Sequence, residues 1–104
     1  TPQIQKKSQH AFHLYPLLID FKKSRASKKI LFEKMKNNNV NLQVHYIPVH
    51  LHPFYKRNYG FTSGDYPIAE TFYEQVVSIP MYPSLTDDEV KHVVKEISII
   101  LESK

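Results

Sequence analysis

The sequence predicts an α+β domain in which helices cover one face of a small, mainly antiparallel sheet. Two observations carry this reading. Segments with strand character alternate with segments of helical spacing in the order strand, helix, strand, loop with a short helix, helix, strand, helix. The strands are also few, which favours a small antiparallel sheet with its helices on one side.

Ala11 to Phe21 is dense in aromatic and branched residues and contains Pro16, so it reads as a strand kinked or bulged at the proline. Ser24 is the expected cap of a helix whose apolar positions Ile30, Leu31 and Met35 recur at helical spacing, with lysines outside. That helix should stop at Asn37-Asn38-Asn39, because asparagine tolerates the left-handed conformation in which helices often end. Val40 to Val49 alternates Val40, Leu42, Val44 and Tyr46 with Asn41, Gln43 and His45, the pattern of a half-buried strand.

After Pro53, the run Phe54 to Gly60 fits a short helix closed by its glycine, with Thr62-Ser63-Gly64 as a turn. Asp65 or Tyr66 then caps a helix with Pro67 in its first turn, and Ile68, Ala69, Phe72, Tyr73 and Val76 make one apolar stripe. Val77-Ser78-Ile79 is a short strand ended by Pro80. Thr86 and Glu89 are spaced as a capping box, and Val90, Val93, Val94, Ile97 and Leu101 give the last helix its apolar face.

The 104 residues amount to one domain with a modest core, too short for a complete cofactor enzyme with a deep pocket. With 41% hydrophobic and 23% charged residues, the chain is neither disordered in composition nor apolar enough anywhere to span a bilayer, and no membrane partner is expected. Cysteine is absent, which excludes disulfides, thiolate nucleophiles and cysteine-ligated metals and fits a cytoplasmic enzyme. The opening Thr1-Pro2-Gln3-Ile4 carries no signal-peptide succession and reads as the edge of a piece of a longer protein. A net charge of +4 raises nucleic acid as a partner, but the lysines and arginines are scattered over helix faces and loop ends, so none is expected.

The densest chemistry lies between His45 and Tyr55, where three histidines and two tyrosines fall within eleven residues at a strand end. Imidazole and phenol offer donors, acceptors and proton transfer near neutral pH, which suits a polyhydroxylated or phosphorylated ligand. His50 and His52, with His45 folding back, also raise a three-histidine zinc site, although no acidic partner or H-E-x-x-H spacing accompanies them. Histidines that bond backbone and anchor a proline-rich loop are the plain alternative.

Elsewhere the residues read as structure. His10 and His13 flank the first strand, His92 belongs to a helix surface, and Phe72-Tyr73 is core. Ser78 lacks a nucleophile turn or a base at recognisable spacing, and Gly60 and Gly64 alone make no phosphate-cradling loop.

Three ordered motifs, Gln43-Val44-His45-Tyr46-Ile47-Pro48-Val49-His50, Gly64-Asp65-Tyr66-Pro67-Ile68-Ala69-Glu70 and Ser78-Ile79-Pro80-Met81-Tyr82-Pro83-Ser84-Leu85-Thr86, resemble the DegT/DnrJ/EryC1/StrS sugar aminotransferases in order and spacing. The resemblance covers nearly the whole chain and leans, within the family, toward the enzymes making the 4-amino sugar of the pseudaminic acid pathway. It implies the C-terminal small domain of a fold-type-I enzyme, closing over substrate held by a large domain that binds pyridoxal phosphate through a Schiff-base lysine. The parent would transfer an amino group, usually from glutamate, to the 4-keto carbon of a nucleotide-linked deoxysugar for surface polysaccharide or glycan biosynthesis, as in UDP-4-amino-4,6-dideoxy-N-acetyl-altrosamine synthesis. It would generally be a homodimer.

No lysine here matches the family's serine-x-x-lysine setting, so this piece is expected to hold no cofactor and to catalyse nothing alone. By resemblance, His45, Tyr46, His50 and Tyr55 face the active site and contact substrate. Asn39 departs from the family's frequent glycine, and His52 is less uniformly expected. A stand-alone module binding a nucleotide sugar or a protein without catalysis is the competing reading, and it predicts a self-contained groove. The fragment reading predicts instead an uncovered apolar surface on the first strand and the His50 loop.

Overall fold

The computed structural model describes residues 3–102, so the Thr1-Pro2 opening lies outside the described residues. The fold is α+β. Strand β1 (Tyr15–Leu18), helices α1 (Lys28–Asn37), α2 (Pro53–Tyr59) and α3 (Pro67–Gln75), strand β2 (Val76–Ile79) and helix α4 (Asp87–Glu102) follow in order, with a 3₁₀ turn at Val49–Leu51 before α2.

β1 and β2 pair antiparallel, with Tyr15 opposite Ile79, Pro16 opposite Ser78 and Leu17 opposite Val77. The N–H and C=O of Ser78 turn away from β1 and bond the backbone of Gln43 at 2.8 and 3.0 Å. Pro16 therefore stands where β1 needs no donor, which is how a proline is accommodated in a strand. The first strand is shorter than the Ala11–Phe21 expected, because β2 offers only four residues to pair with. At its far end Asp20 accepts the backbone N–H groups of Lys22, Lys23 and Ser24 and turns the chain away.

The expected strand Val40–Val49 is reduced to a single antiparallel bridge, Gln43 to Ser78. In that register Asn41 would face Pro80, which has no N–H to give, and His45 would face Val76. The Val76 N–H is already bonded to the Phe72 carbonyl at the end of α3. The ladder is blocked on both sides of the bridge, and the segment runs on toward Pro48 without further strand pairing among the described residues.

Helix α1 is capped by Ser27, whose side chain accepts from the Ile30 N–H at 3.3 Å. The expected cap, Ser24, instead bonds Ala26, accepting its N–H and donating to its carbonyl. The helix ends as the asparagines suggest. Asn39 has φ of +61°, its N–H reaches the Lys36 carbonyl, and the Val40 N–H reaches the Met35 carbonyl. This is the paired closure of a Schellman turn, and it sets Val40 into the core.

α4 opens with the capping box. The Thr86 N–H donates to the Glu89 carboxylate at 2.8 Å, and Thr86 Oγ1 accepts from the Glu89 N–H. Its buried residues are Val93, Ile97 and Ile100, whereas Val90 and Val94 remain exposed. Together with Leu31 and Met35 of α1, Val77 of β2, Val40 and Ala26, they form the core between the two helices and one face of the sheet.

α2 and α3 stand apart from that core. Neither contains a buried residue. The stripe expected on α3 is largely uncovered: Ile68 is 87% and Phe72 47% exposed, and only Val76, beyond the helix end, is inside. Of the two expected caps of α3, Tyr66 stands at the N-cap, without a side-chain bond to the helix, and Asp65 accepts instead from the Thr62 N–H and hydroxyl. The Cα radius of gyration, 16.0 Å, exceeds the roughly 13 Å of a compact chain this long. Residues 46–66, of which only His50 is buried, form an arm beside that core.

Candidate functional site

The arm begins where the chain leaves Gln43. His45 is half-buried with Nε2 3.2 Å from the Gln43 side-chain oxygen, its Nδ1 is buried without a hydrogen-bond partner, and its ring meets Tyr46 edge-on at 4.8 Å. Tyr46 is 74% exposed. Pro48 then leads into the 3₁₀ turn, which carries His50 inward.

His50 is 7% exposed, and its Nε2 lies 2.7 Å from Glu70 Oε1 on the first turn of α3. Glu70 also accepts from the Ser63 hydroxyl at 3.0 Å, the Gly64 N–H at 2.9 Å and the Tyr66 N–H at 3.4 Å. These bonds, led by that from His50, pull its carboxyl down to about 2. An ionised carboxylate only accepts, so the proton between the two residues sits on His50 Nε2.

From His50 a chain of rings runs along the arm. His50 meets Tyr66 at 4.8 Å, Tyr66 meets Phe61 at 5.9 Å, Phe61 stacks on Tyr59 at 6.3 Å and Tyr59 stacks on Tyr55 at 6.0 Å. Such tilted and stacked pairs lie within the separation at which aromatic rings attract. Tyr55 and Tyr59 are 38% and 65% exposed at the outer end. Gly60 makes the fold-back possible: it closes α2 with φ of +70° and its N–H on the Lys56 carbonyl.

Of the four expected site residues, His50 and Tyr55 thus share one ring ladder, and His45 and Tyr46 form a second pair nearer the sheet. The histidines do not converge on a metal, because His45 turns to Gln43, His50 to Glu70 and His52 to the Ile47 carbonyl. Among the described residues no group of three or more metal-ligating side chains comes together. Glu70, Phe61, Tyr59 and Tyr66 were not singled out from sequence as site residues. A carboxylate in the first turn after Gly64-Asp65-Tyr66-Pro67 was the available sign for Glu70.

Two cavities flank the sheet. One of about 380 Å³ is lined by His13, Asn39, Gln43, Ser78, Tyr82 and His92, among others. The other, about 510 Å³, is an apolar groove between sheet and α4, lined in part by Tyr15, Leu17, Met81, Val94 and Ile97.

A DegT/DnrJ/EryC1/StrS aminotransferase family profile matches residues 1–98. The chain belongs to this family. It is similar to the protein MJ1066 of Methanocaldococcus jannaschii, 45% identical over 97% of this chain, and to the spore coat polysaccharide biosynthesis protein SpsC of Bacillus subtilis, 36% identical over 98%. The UDP-4-amino-4,6-dideoxy-N-acetyl-beta-L-altrosamine transaminase of Campylobacter jejuni is 31% identical over 98% of this chain. Among solved structures, Helicobacter pylori PseC, an aminotransferase involved in the biosynthesis of pseudoaminic acid, superposes with a TM-score of 0.77 at 27% identity. That match covers 88% of this chain and 24% of that one. The chain spans 26% of the length of each of these curated relatives.

The family's cofactor is pyridoxal phosphate. Lys28, whose ammonium is lowered in pKa because partial burial outweighs the opposing pull of Glu74, donates to the Tyr73 carbonyl at 2.7 Å and lies over the Tyr73 ring.

Proposed function

We propose that this chain is the C-terminal small domain of a pyridoxal-phosphate-dependent transaminase that aminates the 4-keto group of a nucleotide-linked deoxysugar. In this reading the cofactor, its lysine and the glutamate site belong to a large domain elsewhere in a homodimeric, cytoplasmic parent. The present chain supplies a wall for the sugar nucleotide and no catalytic group.

The observation that carries the proposal is the arm itself: a ladder of rings held off the core, running from buried His50 to the exposed Tyr55 and Tyr59, in a chain of this family. A free-standing domain gains little by presenting Val49, Phe54 and Ile68 to water at 57–87% exposure. A domain that closes over a ligand and a neighbouring domain needs such a surface. Tyr46 and Tyr55 offer hydroxyls and ring faces to sugar or diphosphate, and the half-buried His45 ring packs beside Tyr46. His50 belongs to the site through the turn it holds. The likeness to the Campylobacter jejuni enzyme and to PseC supports a 4-amino-4,6-dideoxy-N-acetyl-altrosamine product, and that to SpsC supports a surface polysaccharide as destination.

The test is the visible spectrum of the protein produced with its natural upstream coding region. A yellow protein that bleaches on adding glutamate supports the reading, and a colourless one indifferent to glutamate overturns it. The cavity at His13, Gln43 and Tyr82, lined by polar and apolar side chains together, favours a second reading, a module that binds its ligand unaided. Micromolar binding of a nucleotide sugar by the 104-residue chain would support that alternative.

A further inference from the structure

We infer that Glu70 is the positioning residue of the proposed ligand wall: its carboxylate ties the turn at His50 to the turn at Ser63-Gly64 and thereby fixes where Tyr55 and Tyr59 stand. This rests on the reading of the arm as a substrate wall.

The carboxylate is saturated. Oε1 takes the His50 ring, the Gly64 N–H and the Tyr66 N–H, and Oε2 takes the Ser63 hydroxyl and shares the Gly64 N–H. With its side chain 15% exposed, Glu70 has no lone pair left to offer a ligand. Its action is therefore indirect, through the residues it holds.

Those residues lie where the core gives no help. α2 packs against the 3₁₀ turn and buries none of its own side chains, so apolar packing does not set its direction. Its base is set by His50, anchored to Glu70 across twenty residues of sequence. Its outer rings are reached from Tyr66, whose N–H Glu70 also holds and whose ring touches both His50 and Phe61. Glu70 thus grips both ends of the loop that folds the ladder back on itself.

Glutamine keeps one acceptor oxygen and gains a donor where Ser63 and Gly64 now donate, so Glu70→Gln should loosen the clamp partly and Glu70→Ala fully. In the parent protein we expect the KM for the keto sugar to rise about tenfold in Glu70→Ala, since misplacement of binding groups acts on substrate positioning. Glu70→Gln should fall between, with the glutamate-driven bleaching of the yellow form retained in both.

A folded Glu70→Ala protein with lowered melting temperature and unchanged sugar KM would make the residue merely structural and overturn the inference. If that variant does not fold, Ser63→Ala removes one donor, and unchanged sugar KM in both it and Glu70→Gln overturns the inference equally. Amide exchange over residues 49–66 tests the clamp whether or not the parent proves to be a transaminase. Faster exchange in Glu70→Gln supports it, and exchange identical to the unmodified protein overturns it.

Discussion

His50 Nε2 and Glu70 Oε1 lie 2.7 Å apart with side chains only 7% and 15% exposed, on two segments that make no regular secondary-structure pairing with each other. A charge-assisted bond in so sheltered a place holds geometry better than an exposed ion pair does. It makes the arm depend on one carboxylate.

That dependence has a pH signature. Bonds from His50 and the Gly64 N–H lower the folded Glu70 pKa from 4.5 to about 2. A depressed carboxylate contributes stability that is present above the unfolded value of 4.5 and is lost as pH falls toward the folded value of about 2. The melting temperatures of the unmodified protein and Glu70→Gln should therefore differ at pH 6 and converge toward pH 3. A constant gap over that range would contradict the assignment.

The core should respond in the ordinary way of tightly packed interiors. Leu31 and Met35 are both fully buried, where α1 meets α4 and the sheet. Leu31→Ala should remove about 2–5 kcal/mol from the unfolding free energy, through lost burial and the cavity left behind. Denaturant titration measures it, and the same substitution at Ile99, 49% exposed, should change stability by about 0.5 kcal/mol or less.

Asn39 tests the helix stop. At φ of +61° a glycine is at ease and a β-branched residue is strained. Asn39→Gly should leave stability within about 0.5 kcal/mol, whereas Asn39→Val should lower it by about 1–2 kcal/mol or more. Thermal melts of the two variants decide it.

Tyr46 separates binding from folding. At 74% exposure its loss should shift the melting temperature little. In the parent enzyme Tyr46→Ala should raise the sugar KM several-fold while leaving the glutamate reaction alone. An unchanged sugar KM would remove Tyr46 from the wall.

Local chemistry was legible at several element ends, though not at the start of α1, where Ser27 caps and Ser24 turns to Ala26. The Thr86–Glu89 box, the glycine closing α2 and the asparagine stop before Val40 depend on backbone groups a few residues away, and the structure has all three. Where the outcome depends on a distant partner, the sequence misled. Val40 to Val49 has strand alternation, yet Pro80 and the Phe72 carbonyl leave β2 with one free pairing position. The stripe on α3 has core periodicity, yet none of the described residues covers Ile68.

The class of fold, the family motifs and the order of elements apart from the strand expected at Val40–Val49 are therefore properties of the sequence itself, because propensity, spacing and caps are short-range. The tertiary structure alone decided that His50 turns inward to Glu70 and that six rings line up from His50 through Tyr66, Phe61, Tyr59 and Tyr55 to Phe54. Those contacts join residues up to twenty positions apart, and hydrogen bonding and ring packing across such separations are set by how the backbone folds back.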